Sequence, residues 1–190
     1  MEAPQSPAAA EPLAVRRTAL VPTAERMREV GQRIAGLLGP GDLVLLTGEL
    51  GAGKTTLARG IGAGLGVRGA VTSPTFVIAR VHPPLGDGPP LVHVDAYRLG
   101  GQGLEGMDDL DLDVSLPESV VIVEWGEGRV EELSEDRLHV VIERETGAAA
   151  NGGADDGGDG GAEDAQDDER TVTVTGVGER WRGVDLSLLG

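Results

Sequence analysis

The run from Asp42 to Thr47 leads directly into Gly48-Glu49-Leu50-Gly51-Ala52-Gly53-Lys54-Thr55, and no other stretch restricts the fold of this chain as strongly. A short, nearly continuous apolar run is the signature of a strand buried on both faces of a parallel sheet. The glycine-rich segment matches Gly-x-x-x-x-Gly-Lys-[Ser/Thr]. A helix is expected next, from about Lys54 to Leu65, closed by Gly66. In that strand–loop–helix order, successive backbone N–H groups make an anion-binding nest, and the helix adds its positive N-terminal end. Gly48, Gly51 and Gly53 permit the tight path and the close approach of a ligand.

Lys54 is the only lysine, against fifteen arginines. A compact ammonium reaches between phosphates where the planar fork of arginine does not simply fit. It is expected to hold the β- and γ-phosphates of a nucleoside triphosphate, with the Thr55 hydroxyl as a Mg²⁺ ligand. The expected chemistry is triphosphate binding and hydrolysis. Such a site also needs a carboxylate at the end of a neighbouring strand. Leu91–Asp95 and Val120–Glu124 are both apolar runs that end in an acid, which places Asp95 and Glu124 beyond the carboxyl ends of the strands, where ligands lie in open α/β sheets. One acid is assigned to Mg²⁺ and the other to the attacking water; the residues alone leave open which is which.

Thr72-Ser73-Pro74-Thr75 reads equally as a segment whose hydroxyl senses the γ-phosphate or as a proline turn entering a strand. The aromatic residues are Phe76, Tyr97, Trp125 and Trp181. Tyr97 and Trp125 adjoin the acids and are placed to stack on a base or to wall the site, although packing is the commoner role of a tryptophan. His93 lies mid-strand and reads as a packing or supporting residue rather than a catalytic one. Arg98 reads as a partner for phosphate or for an acid.

The length fits one α/β domain. Residues 1–12, rich in Pro and Ala, read as a disordered leader, and 13–190 as a single domain. Leu13 to Val21 is a candidate edge strand. A helix is expected after the N-cap Thr23, with Met27, Val30, Ile34, Leu37 and Leu38 on one face and Gly39-Pro40 as its stop. Further strands are expected at Thr75–Val81, Arg137–Arg144 and Thr171–Thr175, with a turn-rich connection at His82–Pro90 and a short helix within Gly100–Pro117. Residues 148–169, almost all Gly, Ala, Asp and Glu, read as a disordered acidic insertion within a C-terminal hairpin.

The chain has no cysteine and no apolar run of about twenty residues, so disulfides and thiolate metal sites are excluded and a cytoplasmic protein without membrane contact is expected. Its net charge is −16, and taking away the eight acids between Gly147 and Glu169 leaves −8. Such a chain lacks the clustered Lys and Arg that grip a nucleic-acid backbone.

Taken together, Gly48 to Thr56, Thr72-Ser73-Pro74-Thr75-Phe76, His93-Val94-Asp95-Ala96-Tyr97-Arg98-Leu99 and Glu124-Trp125 resemble the bacterial TsaE (YjeE) family, in the family's order and spacing. The resemblance spans about Leu20 to Leu189, interrupted by the acidic insertion. It implies an α/β, P-loop NTPase-like three-layer fold with a mainly parallel central sheet. It also implies an ATPase, weak alone, that serves the synthesis of threonylcarbamoyladenosine in tRNA together with the TsaB and TsaD proteins, and that meets tRNA only through them. By this likeness ATP lies on Gly48, Gly51, Ala52, Gly53, Lys54, Thr55 and Thr56, with Trp125 near the nucleotide and Thr23 near the adenine. Thr55 and Glu124 are the implied Mg²⁺ ligands, and Lys54, Asp95 and Glu124 the implied catalytic residues.

Two other classes compete. A P-loop kinase of a small molecule needs an arginine-rich lid, for which Arg129 and Arg137 are a thin provision. A nucleotide-gated binding module, in which hydrolysis is incidental, overlaps the ATPase reading. A regulatory GTPase has less support still, because no Asn-Lys-x-Asp guanine-reading segment can exist when Lys54 is the sole lysine.

Overall fold

A computed structural model of the chain describes residues 14–73, 79–99, 116–126, 134–144 and 169–189. Among these residues seven strands form one sheet: β1 (Val15–Val21), β2 (Leu43–Gly48), β3 (Ala79–His82), β4 (Leu91–Asp95), β5 (Val120–Glu124), β6 (Arg137–Arg144) and β7 (Arg170–Val177). Their order is β1-β7-β6-β2-β5-β4-β3. The four central strands, β6, β2, β5 and β4, run parallel, while β3, β7 and β1 add antiparallel flanks. This is the P-loop NTPase-like α/β arrangement expected from the sequence, with β6 and β7 as the C-terminal hairpin. β1 is indeed an edge strand, and β2, β4 and β5 are buried along their apolar lengths, as runs without alternation require.

Two helices, α1 (Ala24–Ala35) and α2 (Lys54–Leu65), cover one face of this sheet. Val44 and Leu46 of β2, Leu91 of β4 and Ile122 of β5 point to them. The alternate residues Leu43, Leu45, Val92, Val94, Val121 and Val123 form a second apolar cluster on the opposite face. The helices approach each other through glycines. A Cβ on Gly31 would lie 2.5 Å from the Leu57 carbonyl oxygen, one on Gly64 would lie 2.5 Å from the Ala35 Cβ, and one on Gly60 would overlap the Arg28 carbonyl oxygen. Each interior glycine costs a helix about 1 kcal/mol against alanine, and here the backbone contact takes that space.

α1 begins where expected, with the Thr23 hydroxyl accepting from the Arg26 amide at 3.0 Å. It ends at Ala35, earlier than the Gly39-Pro40 stop read from the sequence. The amides of Gly36, Leu37 and Leu38 turn to the carbonyls three residues back, a tightening common at helix ends. The Asp42 carboxylate then accepts from the Gly39 amide at 2.8 Å and pairs with both sides of the Arg180 guanidinium, at 3.1 and 3.0 Å. Leu37 and Leu38 still pack against the core from this turn.

α2 spans Lys54–Leu65 and closes on Gly66 in the left-handed conformation, as predicted. The expected strand at Thr75–Val81 is observed as Ala79–His82; residues 74–78 lie outside the described set, as do the leader, most of Gly100–Pro117, and 148–168 of the acidic stretch. No helix among the described residues is long and apolar enough to cross a membrane.

Candidate functional site

β2, β5 and β4 are neighbours, and their registers level Leu46 with Glu124 and Glu124 with Asp95. The two acids therefore stand side by side at the carboxyl edge, and the glycine-rich loop leaves β2 just beyond that level. The loop turns through Gly51 at φ 78° and Gly53 at φ 111°, left-handed values that side chains with a Cβ resist. At Gly48 the reason is space, since a Cβ there would lie 2.6 Å from the Ile142 carbonyl oxygen.

The Lys54 side chain folds back over its own loop. Its ammonium donates to the carbonyl oxygens of Gly48 at 2.7 Å and Glu49 at 2.9 Å. The same ammonium lies 3.9 Å from the centroid of the Trp125 ring, within cation–π range. Burial lowers the Lys54 pKa from its ordinary value, while the charges of Glu124 and then Asp95 act to raise it. The Thr55 hydroxyl donates to Glu124, 3.2 Å from Oε1 and 3.4 Å from Oε2. Glu124 also receives His93 Nε2 at 2.8 Å. Asp95, equally buried, accepts the Tyr97 amide at 3.0 Å on Oδ1, which fixes one of its oxygens.

These groups surround one pocket of about 420 Å³, lined by Leu50, Gly51, Gly53, Lys54, Thr55, Thr56, Ser73, Asp95, Tyr97, Glu124 and Trp125. Tyr97 and Trp125 meet there with centroids 5.3 Å apart. Ser73 brings the Thr72-Ser73 segment to the pocket, while Thr72 accepts a 2.8 Å bond from Arg80; Pro74, Thr75 and Phe76 lie outside the described residues. Gly48 lines a second cavity that shares Trp125, and Ala52, within the loop, is buried. Thr23 does not line the pocket and serves as the cap of α1. The side chain of Arg98, and all of Arg129, lie outside what is described.

Arg144 and Arg170 were not anticipated. A Cβ on Gly51 would lie 3.8 Å from the Arg144 guanidinium, and one on Gly53 would lie 3.8 Å from Arg170 Nε. The two arginines are partners across the β6–β7 ladder. Only that pairing brings them to the loop, and no local motif marks them.

A family model described as "Threonylcarbamoyl adenosine biosynthesis protein TsaE" matches residues 21–151. The chain belongs to the TsaE family. A TsaE relative from Streptomyces coelicolor, named as a tRNA threonylcarbamoyladenosine biosynthesis protein, is 66% identical over 163 residues, covering 86% of this chain and 99% of the relative. TsaE of Bacillus subtilis is 36% identical over 159 residues, covering 83% of this chain and 84% of its own. Among solved structures, that of Bacillus subtilis YdiB superposes with a TM-score of 0.63 at 31% identity, over 90% of this chain and 91% of the other. The TsaE family places the chain in threonylcarbamoyladenosine biosynthesis.

Proposed function

We propose that this TsaE-family chain binds ATP with Mg²⁺ and hydrolyses it in the cytoplasm, sustaining turnover of a TsaB–TsaD transferase that makes threonylcarbamoyladenosine in tRNA. The observation that carries the reading is the meeting of Lys54, Thr55, Asp95 and Glu124 at one pocket beneath a glycine-rich loop. The loop amides and the start of α2 cradle the phosphates. Lys54 exchanges its two carbonyl partners for the β- and γ-phosphate oxygens.

The donor chemistry fits Mg²⁺. Thr55 and Glu124 offer hard oxygen ligands within 3.4 Å of each other, and Mg²⁺ characteristically takes one or two carboxylates together with substrate phosphates. When bound, it neutralises charge developing on the phosphates. Asp95, with one oxygen held by Tyr97, uses the other to orient the water that attacks the γ-phosphorus as the bond to the bridging oxygen breaks. Trp125 and Tyr97 wall the nucleotide. The net charge of −16 suits a chain that leaves the grip on tRNA to its partners.

The test is ATP hydrolysis by the purified chain, alone and with TsaB and TsaD added, with Lys54→Ala as control. Slow turnover that rises with the pair and vanishes in Lys54→Ala is expected. Lys54-dependent hydrolysis indifferent to the pair removes the partner assignment. Full multiple-turnover product formation with hydrolysis-dead Asp95→Ala or Glu124→Ala removes hydrolysis as the purpose.

A further inference from the structure

We propose that His93 is a positioning residue, which fixes the Glu124 carboxylate so that one oxygen is presented to a divalent cation. The proposal rests on the reading of Glu124 as a metal ligand. His93 is completely buried in β4, and its Nε2 lies 2.8 Å from Glu124 Oε1. An ionised carboxylate only accepts, so Nε2 is the donor. Parallel register places His93 opposite Ile122, one pleat below the Asp95–Glu124 pair and on the same face.

Two side chains are bonded to Glu124 among the described residues, His93 and Thr55. Thr55 is itself a candidate ligand, and its longer, divided bond is the one given up when its hydroxyl turns to a cation. His93 then remains. It holds Oε1 and leaves Oε2, which carries only the 3.4 Å bond to Thr55, toward the pocket.

The energetics point the same way. His93 Nδ1 is buried without a hydrogen-bond partner among the described residues, which is costly for a polar atom in a core. An aliphatic residue between Val92 and Val94 would pack this position without that cost. What only a donor supplies here is a fixed orientation for the carboxylate, and outer-shell partners of this kind tune metal affinity roughly 10- to 100-fold.

The experiment compares the full chain with His93→Leu, His93→Gln, His93→Asn and Glu124→Gln. Mn²⁺ affinity is read by electron paramagnetic resonance in the presence of ADP, alongside metal-free ADP affinity and melting temperature. Expected are a Mn²⁺ affinity lowered roughly 10- to 100-fold in His93→Leu, unchanged metal-free ADP binding, and recovery in His93→Gln, whose amide nitrogen reaches the place of Nε2. The shorter His93→Asn does not recover it. Parental Mn²⁺ affinity in His93→Leu, with loss in Glu124→Gln, overturns the inference and leaves the metal ligand standing. Equal losses in the Leu and Gln variants, with a fallen melting temperature, reduce His93 to packing and also overturn it. Parental affinity in Glu124→Gln overturns the ligand itself and this inference with it.

Discussion

The Lys54 ammonium lies 3.9 Å over the ring of Trp125, and Trp125 holds that ring from a left-handed backbone at φ 62°. A bulky residue in this region costs about 1–3 kcal/mol. A cation–π contact returns roughly 0.5–2 kcal/mol. The two are comparable, so the aromatic clasp is poised rather than deep. A triphosphate competes for the same ammonium. Saturation with MgATP is therefore expected to shift Trp125 emission, with Trp125→Phe as the blank for Trp181, and the shift is expected to disappear in Lys54→Ala. Emission unchanged in the parent at saturation would sink this account.

Burial lowers the Lys54 pKa from the ordinary lysine value of 10.5, against the pull of Glu124 and Asp95. The unfolded chain thus keeps this proton to higher pH than the folded one. The buried charge costs stability at neutral pH, and that cost is relieved as pH rises through the folded pKa toward 10.5. A triphosphate rewards the charged form, so nucleotide affinity is expected to fall across the same window. Lys54→Ala should weaken binding at neutral pH by about 10- to 100-fold, the scale of a charge-assisted hydrogen bond. Calorimetric affinity followed from pH 7 upward checks this. Lys54→Arg, which keeps its charge, should show weaker but flatter binding. An equal decline in the parent and in Lys54→Arg would assign the alkaline loss to another group.

The glycine seam between α1 and α2 makes a prediction about stability. Gly60→Ala would normally help a helix by about 1 kcal/mol. Here its Cβ meets the Arg28 backbone, which cannot swing aside as a side chain can. Overpacking of roughly 1–3 kcal/mol should win, lowering the urea midpoint. The exposed Gly36→Ala serves as the contrast. A Gly60→Ala variant as stable as the parent would mean the helices separate easily.

The parts of this molecule written in contiguous residues were legible in its sequence. β2, the phosphate loop and α2 follow from an apolar run, spaced glycines and the terminal Gly66. β4 and β5 follow from unbroken apolar runs that end in acids. What was not legible depends on pairings distant in the chain. Asp95 and Glu124 become neighbours only through the register of β4 and β5, and the same register turns His93 from a mid-strand histidine into a support for Glu124. Arg144 and Arg170 reach the loop only through the β6–β7 ladder. The end of α1 was misplaced because Gly36 yields to a tighter turn before the stronger breaker Gly39-Pro40 is reached.

The sheet order also sets a timetable for synthesis. Among the described residues β1 is an edge strand with β7 as its one neighbour, so Val15 pairs with Gly176 and Val21 with Arg170. β1 leaves the ribosome well before β7 and must wait for that strand before the two can pair. Contacts of such separation form slowly, and until then β1 is an unpaired edge open to unwanted partners. Met27, shortly after β1, and Arg170 of β7 flank Gly53. A nascent chain can thus assemble the phosphate loop on β2 and α2 early, yet its surroundings are completed only after β7 has been made.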